Sequence, residues 1–271
     1  MVEKKLTNFN IQEQIKIIQQ MRENLENDPN FLPSYKDLKM CLNQIEIQRK
    51  KIRTEEDYDN SERKNWDKLI NKTKQPFFEF LTKEYIDSFG SYIAKRVEEL
   101  GGTEQSPITI LEVGAGDGRL TNFLQKKTNE ICPKKVKFFA SDKYDSSSPW
   151  DIKPVFPVEQ VSHEEALKKY NPKIVIFSWI PHNFDCTDSF RATKNVDEYI
   201  LIGEEGGGCC GDAWKTWGID EYSEHKKEIP PYEVDGFKMI EHKDLSKLQL
   251  SRINITQGEN TSTTVSFKRK S

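Results

Sequence analysis

Ile108-Thr-Ile-Leu-Glu-Val-Gly-Ala-Gly-Asp-Gly118 is the stretch that decides the fold. Its first six residues are a β-branched and apolar run suited to a buried strand. Three alternating glycines follow at once, and Arg119-Leu120-Thr121 then open a helical pattern. A strand running through such a turn into a helix lets backbone approach a nucleoside-bearing ligand closely. Glu112 adds a carboxylate where the strand ends. A dinucleotide fingerprint needs its third glycine three residues after the second, to seat a pyrophosphate on the helix start. Position 119 is Arg, so nicotinamide binding is disfavoured.

The pattern continues downstream. Ile108–Val113, Val136–Ala140, Val155–Val158, Ile174–Phe177 and Tyr199–Ile202 read as short buried strands separated mostly by helix-sized segments, which predicts a parallel sheet covered on both faces. Lys247–Asn254 and Thr263–Lys268 alternate as strands, and the connection between them has no room for a crossover helix. They are expected to form an antiparallel hairpin.

The strand-Glu-x-Gly-x-Gly-x-Gly pattern resembles motif I of the class I S-adenosylmethionine-dependent methyltransferases, and five parallel strands closed by a hairpin resemble their Rossmann-like seven-stranded α/β sheet. The resemblance covers residues 76–268 loosely. Residues 174–218, with Ser-Trp-Ile-Pro and Gly-Cys-Cys-Gly-Asp-x-Trp-x-Thr-Trp-Gly, more closely resemble a subgroup of proteins from fungi, algae and protists. It implies S-adenosyl-L-methionine as cofactor, with Glu112, Gly114, Gly116 and Gly118 around its methionine part. Asp142, 24 residues beyond Gly118, would accept hydrogen bonds from the ribose hydroxyls, with Lys143 beside it. Glu159 and Gln160 would lie at the adenine, and Ser178 and Trp179 at the end of the fourth strand.

Size and composition narrow the alternatives. The 271 residues, 35% hydrophobic and 31% charged, suit one large domain with an extension. A formal charge of -3 gives no global field to gather nucleic acid or anionic membrane. Met1–Leu6 lacks the apolar segment of a secretory signal and no run reaches bilayer length, so a cytoplasmic or nuclear location without membrane contact is expected. Five cysteines at 41, 132, 186, 209 and 210 show no metal-ligand spacing, so no metal is expected and small buried thiols are the better reading of Cys209-Cys210.

Residues 1–75 are expected to form a helical extension and 76–271 the cofactor-binding domain. Ile11, Ile15, Ile18, Met21 and Leu25 recur at helical spacing up to Asp28-Pro29-Asn30, and Ser34 with Asp37 has capping-box spacing for a second helix. The charged run from Gln48 to Asp59 reads as a solvated face or linker. Leu81, Tyr85, Phe89, Ile93, Val97 and Leu100 predict a third helix on the sheet edge, with core packing favoured over cofactor contact for Phe77, Phe80 and Tyr85. The extension is also a candidate docking region for a protein partner.

In an open parallel sheet ligands sit beyond the carboxyl ends of the strands. Ser178, Pro181 and His182 end the fourth strand, where nucleic-acid and protein amino methyltransferases carry Asn/Asp/Ser-Pro-Pro-aromatic, a pattern met here only in part. His182 is a candidate general base, and Glu204 a candidate acceptor for an amine. Glu205, Asp212, Trp214 and Trp217 lie in a glycine-rich stretch that reads as a substrate loop. Arg191 is read as half of a salt bridge. The function expected is methyl transfer to a nitrogen of a protein or small molecule. Alternatives are a non-catalytic methyltransferase-like scaffold, or an RNA or DNA methyltransferase using Arg49-Lys50-Lys51 and Lys268-Arg269-Lys270.

Overall fold

The computed structural model describes residues 11–41, 77–144, 152–205, 208–220, 223–225, 228–251 and 262–270. The run at 48–59 and the cluster at 49–51 lie outside them.

Seven strands form one sheet: β1 (Ile108–Val113), β2 (Val136–Asp142), β3 (Glu159–Gln160), β4 (Ile174–Ser178), β5 (Glu198–Glu204), β6 (Phe237–Glu241) and β7 (Ser262–Arg269). Their order is β3-β2-β1-β4-β5-β7-β6. The first five are parallel, and β7 runs antiparallel between β5 and β6. This is the Rossmann-like α/β sheet with a terminal antiparallel pair that the sequence pattern implies. Strand order reverses between β1 and β4, so the crevice above their carboxyl ends is where such a sheet accepts a ligand.

The central strands read as apolar runs because both faces are covered. Ile110, Ile174, Ile176, Ile200 and Ile202 pack on one face, and Leu111, Val113, Val175, Phe177, Tyr199 and Leu201 on the other. Helix α1 (Ile11–Asn27) ends before Asp28-Pro29, and a helix α2 occupies residues 35–41, where the Ser34 hydroxyl caps the Asp37 N–H. Helix α3 (Lys83–Glu99) starts at Thr82, whose hydroxyl accepts the Tyr85 N–H, and buries Tyr85, Phe89, Ile93 and Val97 at intervals of one turn. It lies across the first face rather than at the sheet edge, sharing a cluster with isoleucines of β1, β4 and β5. The correction follows from its stripe: a helix apolar on every fourth position needs a continuous apolar surface, which a sheet edge does not offer. Helix α4 (Arg119–Ile131) packs beside it.

Two strand expectations are corrected. Residues 155–158 are not a strand; β3 is the two-residue pairing Glu159–Gln160. Pro157 has no N–H to give a ladder, and Val158 and Phe156 instead close against Gly118. The partner of β7 is Phe237–Glu241, not residues 247–251, and residues 252–254 of the expected strand lie outside the described ones. Gly236, at φ +78, turns the chain into β6, and Phe237 and Met239 join the second core face. Leu248 and Leu250 alternate for another reason: Leu248 packs on the α3 cluster, while Leu250 packs with Ile18, Leu38 and Cys41. Ser251 forms a single antiparallel bridge with Glu79. The short helices α5 (His163–Tyr170), α6 (Thr187–Ala192), α7 (Ala213–Trp217), α8 (Pro231–Val234) and α9 (Lys243–Ser246) complete the described elements.

The N-terminal segment is fastened to the sheet domain. The Lys83 N–H donates to the Pro33 carbonyl, and the Tyr35 N–H to the Glu84 carboxylate at 2.7 Å. Arg191 forms a 2.7 Å ion pair with Asp235, joining α6 to the end of α8. Arg269 donates to carbonyls of Val196, Arg191 and Thr193 and lies over Phe237, so its charge is spent inside the fold rather than offered to a polyanion. Among the described residues no helix is long and apolar enough to cross a membrane.

Candidate functional site

The glycine turn after β1 is held open by sterics. Gly114 has φ +61, and a Cβ there would lie 2.3 Å from the Phe177 ring, so only glycine brings β1 and β4 this close. At Gly116, φ +54, an added Cβ would meet only Ile152, at 3.6 Å, among the described residues, while its N–H donates to Asp142 Oδ2 at 2.9 Å. Gly118 serves a different purpose: it starts α4 and admits Val158 and Phe156, and it does not line the main cavity. Glu112, 2% exposed, accepts the backbone N–H and hydroxyl of Thr121, tying β1 to the first turn of α4. Burial pushes its carboxyl up to about 8.

Asp142 ends β2. Its Oδ1 accepts the Tyr144 N–H at 2.8 Å and the Tyr144 hydroxyl returns to the Gly116 carbonyl at 2.7 Å, so the turns after β1 and β2 form one cradle. Lys143 is exposed at its rim. The adenine-side expectation is displaced. Glu159 pairs with Lys169 at 2.5 Å and accepts the Tyr170 hydroxyl, facing a smaller groove, and Gln160 is exposed away from the main cavity. The cavity wall here is Val161, Ser162, His163 and Glu164, just past the strand, because β3 starts later than its apolar residues suggested.

Ser178, Trp179, Pro181 and His182 all line the cavity after β4, with His182 exposed. Trp179 has φ +60, a conformation an L-residue holds only when its surroundings impose it. Its N–H bonds the Ile202 carbonyl at 2.7 Å, and its indole N–H donates to Glu79.

After β5, residues 206–207 lie outside the described ones, and the expected substrate-loop residues Glu205, Asp212, Trp214 and Trp217 do not line the cavity. Glu204, 7% exposed, accepts the Cys209 N–H at 3.0 Å and stays outside the cavity, as does half-buried Glu205. Asp212 caps α7 by accepting the Lys215 N–H. Trp217 is 1% exposed, with its indole N–H on the Cys210 carbonyl at 2.8 Å, and Trp214 stacks on His225 at 4.3 Å. Cys210 and Trp217 pack into the second core face, and Gly208 and Gly211 admit close approach of Glu204 and Thr216. Cys210 is buried as expected, whereas Cys209 is exposed and reaches the cavity wall.

These elements enclose a cavity of about 1490 Å³. Several wall residues were not singled out in the sequence. Leu25 and Phe31 come from the N-terminal segment, which therefore covers the site. Phe77 and Phe80 stack at 6.0 Å and line it too, against the expectation of plain core packing, whereas Tyr85 lies in the core. Arg119 lies 4.9 Å over the Phe77 ring and pairs with Asp117 at 3.5 Å. Glu79 is the one acid within Phe77-Phe78-Glu79-Phe80-Leu81; that isolation among aromatics was the available signal. Burial pushes its carboxyl up to about 7. Among the described residues no group of His, Cys, Asp and Glu is arranged to hold a metal ion.

No family model matches the sequence, and no curated protein matches it. Among solved structures, the chain is similar to the DszA carbon methyltransferase at 16% identity and TM-score 0.37, over 68% of this chain and 54% of that one. It is similar to the citrinin polyketide synthase CMeT domain at 14% and 0.39, over 79% and 58%. A SAM dependent methyltransferase from Archaeoglobus fulgidus aligns at 12% and 0.30, over 66% and 94%. The chain thus spans little more than half the length of the first two. The fold is defined by the strand order and register of its seven-stranded sheet.

Proposed function

We propose that the cavity binds S-adenosyl-L-methionine and that the chain transfers its methyl group to a nitrogen of a small molecule or of a protein side chain. The observation that carries this reading is the joined cradle of Gly114, Gly116 and Asp142 at the carboxyl ends of β1 and β2, opening into one large cavity that continues past β4.

The residues fit the cofactor. Each Asp142 oxygen carries one backbone donor and keeps a lone pair for a ribose hydroxyl. The open side of Gly116 leaves room where a Cβ would intrude. Arg119 Nε, 3.5 Å from Asp117 and without a hydrogen bond among the described residues, suits the carboxylate of an amino acid, and Asp117 suits the ammonium. Val161 and the Ser162–Glu164 turn offer apolar and polar contacts to adenine. When bound, the cofactor supplies a sulfonium methyl that is already activated, so the protein's task is alignment and exclusion of water. Leu25, Phe31, Phe77 and Phe80 serve the second task.

The test is to incubate folded protein with cofactor carrying a tritiated methyl and fractionated cell extract. Label entering an amine-bearing small molecule or a protein supports the reading. Label confined to nucleic acid would replace the acceptor class, and cofactor bound with no label transferred to any fraction would favour a scaffold.

A further inference from the structure

A cavity of about 1490 Å³ exceeds the roughly 300–1,000 Å³ typical of a site for one small ligand. Asp142 and Glu79 mark its two sides. Asp142 ends β2, whereas Glu79 bonds to Trp179 just after β4, and β2 and β4 are separated by β1 alone. Two strand spacings amount to about 10 Å. If the nucleoside occupies the Asp142 side, the Glu79 side is left for the second substrate.

Glu79 is built into this wall with unusual care. Its Oε2 accepts the Ser262 hydroxyl at 2.6 Å and the Trp179 indole N–H at 3.1 Å. Behind Ser262 runs a buried chain. The Gln249 amide donates to Ser262 at 2.7 Å, and the Thr264 hydroxyl donates to Gln249 Oε1 at 2.7 Å. Thr264 has only that one proton, so the Tyr85 hydroxyl at 2.8 Å is the donor to Thr264. Every hydrogen from Tyr85 through Thr264, Gln249 and Ser262 therefore points toward Glu79, and none of these four side chains is more than 1% exposed. Such a chain polarises along its length and fixes the carboxylate in one orientation.

The other oxygen is left over. Glu79 Oε1 is buried without a hydrogen-bond partner among the described residues, although Glu79 lines the cavity; the Gln249 amide and the Leu250 backbone also favour its carboxylate but do not satisfy that oxygen. Among the described residues the groups acting most strongly on Glu79, namely Ser262, Trp179, Gln249 and the Leu250 backbone, are all neutral. A buried acceptor in this state is costly unless a ligand supplies the missing donor, and a cationic donor supplies most. Around it stand flat apolar surfaces. Phe78 lies 5.8 Å from the Trp179 ring, and Phe31, Phe77 and Phe80 line the same cavity. Aromatic faces of this kind hold planar bodies and ammonium groups.

We propose that Glu79 is the acid–base residue of the second-substrate site and that this substrate is an amine carried on a flat, largely apolar body. This deepens the methyl-transfer reading and rests on it. The step assigned to Glu79 is a proton transfer: R–NH3⁺ and the Glu79 carboxylate become R–NH2 and the Glu79 carboxylic acid, the N–H bond breaking as the Oε1–H bond forms. The nitrogen lone pair is thereby freed while the fixed carboxyl keeps the amine in place. Burial raises the carboxyl to about 7, where proton exchange with a bound ammonium near neutral pH is most effective.

The test uses the full chain with tryptamine and its uncharged counterpart tryptophol as probes, titrated by calorimetry with and without S-adenosylhomocysteine. The unaltered protein should bind tryptamine at least about ten-fold more tightly than tryptophol, the margin of one charge-assisted hydrogen bond. Glu79→Gln keeps an acceptor for Ser262 and Trp179, and it should erase that preference while leaving S-adenosylhomocysteine affinity within about two-fold. Equal binding of the two probes, no binding of tryptamine, or a preference that survives in Glu79→Gln would overturn the assignment. Failure of S-adenosylhomocysteine to bind, with the amine preference intact, would remove the cofactor reading and leave the amine site standing.

Discussion

The Gly116 N–H lies 2.9 Å from Asp142 Oδ2, which locks the turn after β1 to the last residue of β2. One side chain thus both shapes the cradle and presents the oxygens proposed to meet the ribose. Hydrogen bonds to a charged group are worth about 1.5–3 kcal/mol each. Asp142→Ala should therefore weaken S-adenosylhomocysteine binding on the order of 100-fold in a calorimetric titration. An affinity unchanged by that substitution would mean the ribose lies elsewhere.

Gly114→Ala tests the close approach of β1 and β4. The left-handed backbone costs a side chain about 1–3 kcal/mol and the collision with Phe177 about as much again. Urea unfolding should show a loss of about 2–6 kcal/mol. Adding Phe177→Leu should recover the collision and leave the backbone strain. A fully stable Gly114→Ala protein would show that the turn is not under this constraint.

Much of this architecture was legible because β1, β4 and β5 are buried on both faces and leave continuous apolar runs, and because α3 repeats its apolar residues once per turn. Gly114, Gly116 and Asp142 stand out for the same local reason, a strand ending in a turn. What sequence could not show was long-range pairing. Leu248 and Leu250 alternate like strand residues but fill two different clusters, and β6 is a short strand half open to solvent. Trp214 and Trp217 read as parts of a substrate loop because glycines surround them, whereas Trp217 is buried by the core face that α7 meets and Trp214 stacks on His225. Glu79's isolation among aromatics was visible, but its setting was not, because its donors Trp179 and Ser262 are 100 and 183 residues away.

Trp217→Ala separates core packing from a substrate loop. Removing a core tryptophan costs about 3–5 kcal/mol, so the midpoint of urea unfolding should fall sharply. S-adenosylhomocysteine affinity of the fraction that remains folded should be unchanged. A stable variant with altered ligand binding would restore the loop reading.

Glu112 sets a pH dependence. Burial raises its carboxyl from 4.5 to about 8, against the pull of the Thr121 hydrogen bonds. The folded state then binds this proton more tightly than the unfolded state. Its stabilising contribution is full below about 4.5 and is lost as pH rises toward 8. Glu79 acts with the same sign up to about 7. Glu112→Gln preserves an acceptor for Thr121 and should flatten the fall of stability between about pH 5 and 8, read from urea titrations at each pH. A slope identical to that of the unaltered protein would remove Glu112 as its source.

The central claim is that this cavity holds adenosine joined to a sulfur-bearing amino acid, and direct titration of the folded chain with S-adenosyl-L-methionine tests it. The account predicts saturable one-site heat together with a Tm that rises with ligand concentration. Folded protein that yields neither heat nor a Tm shift at millimolar cofactor would contradict it.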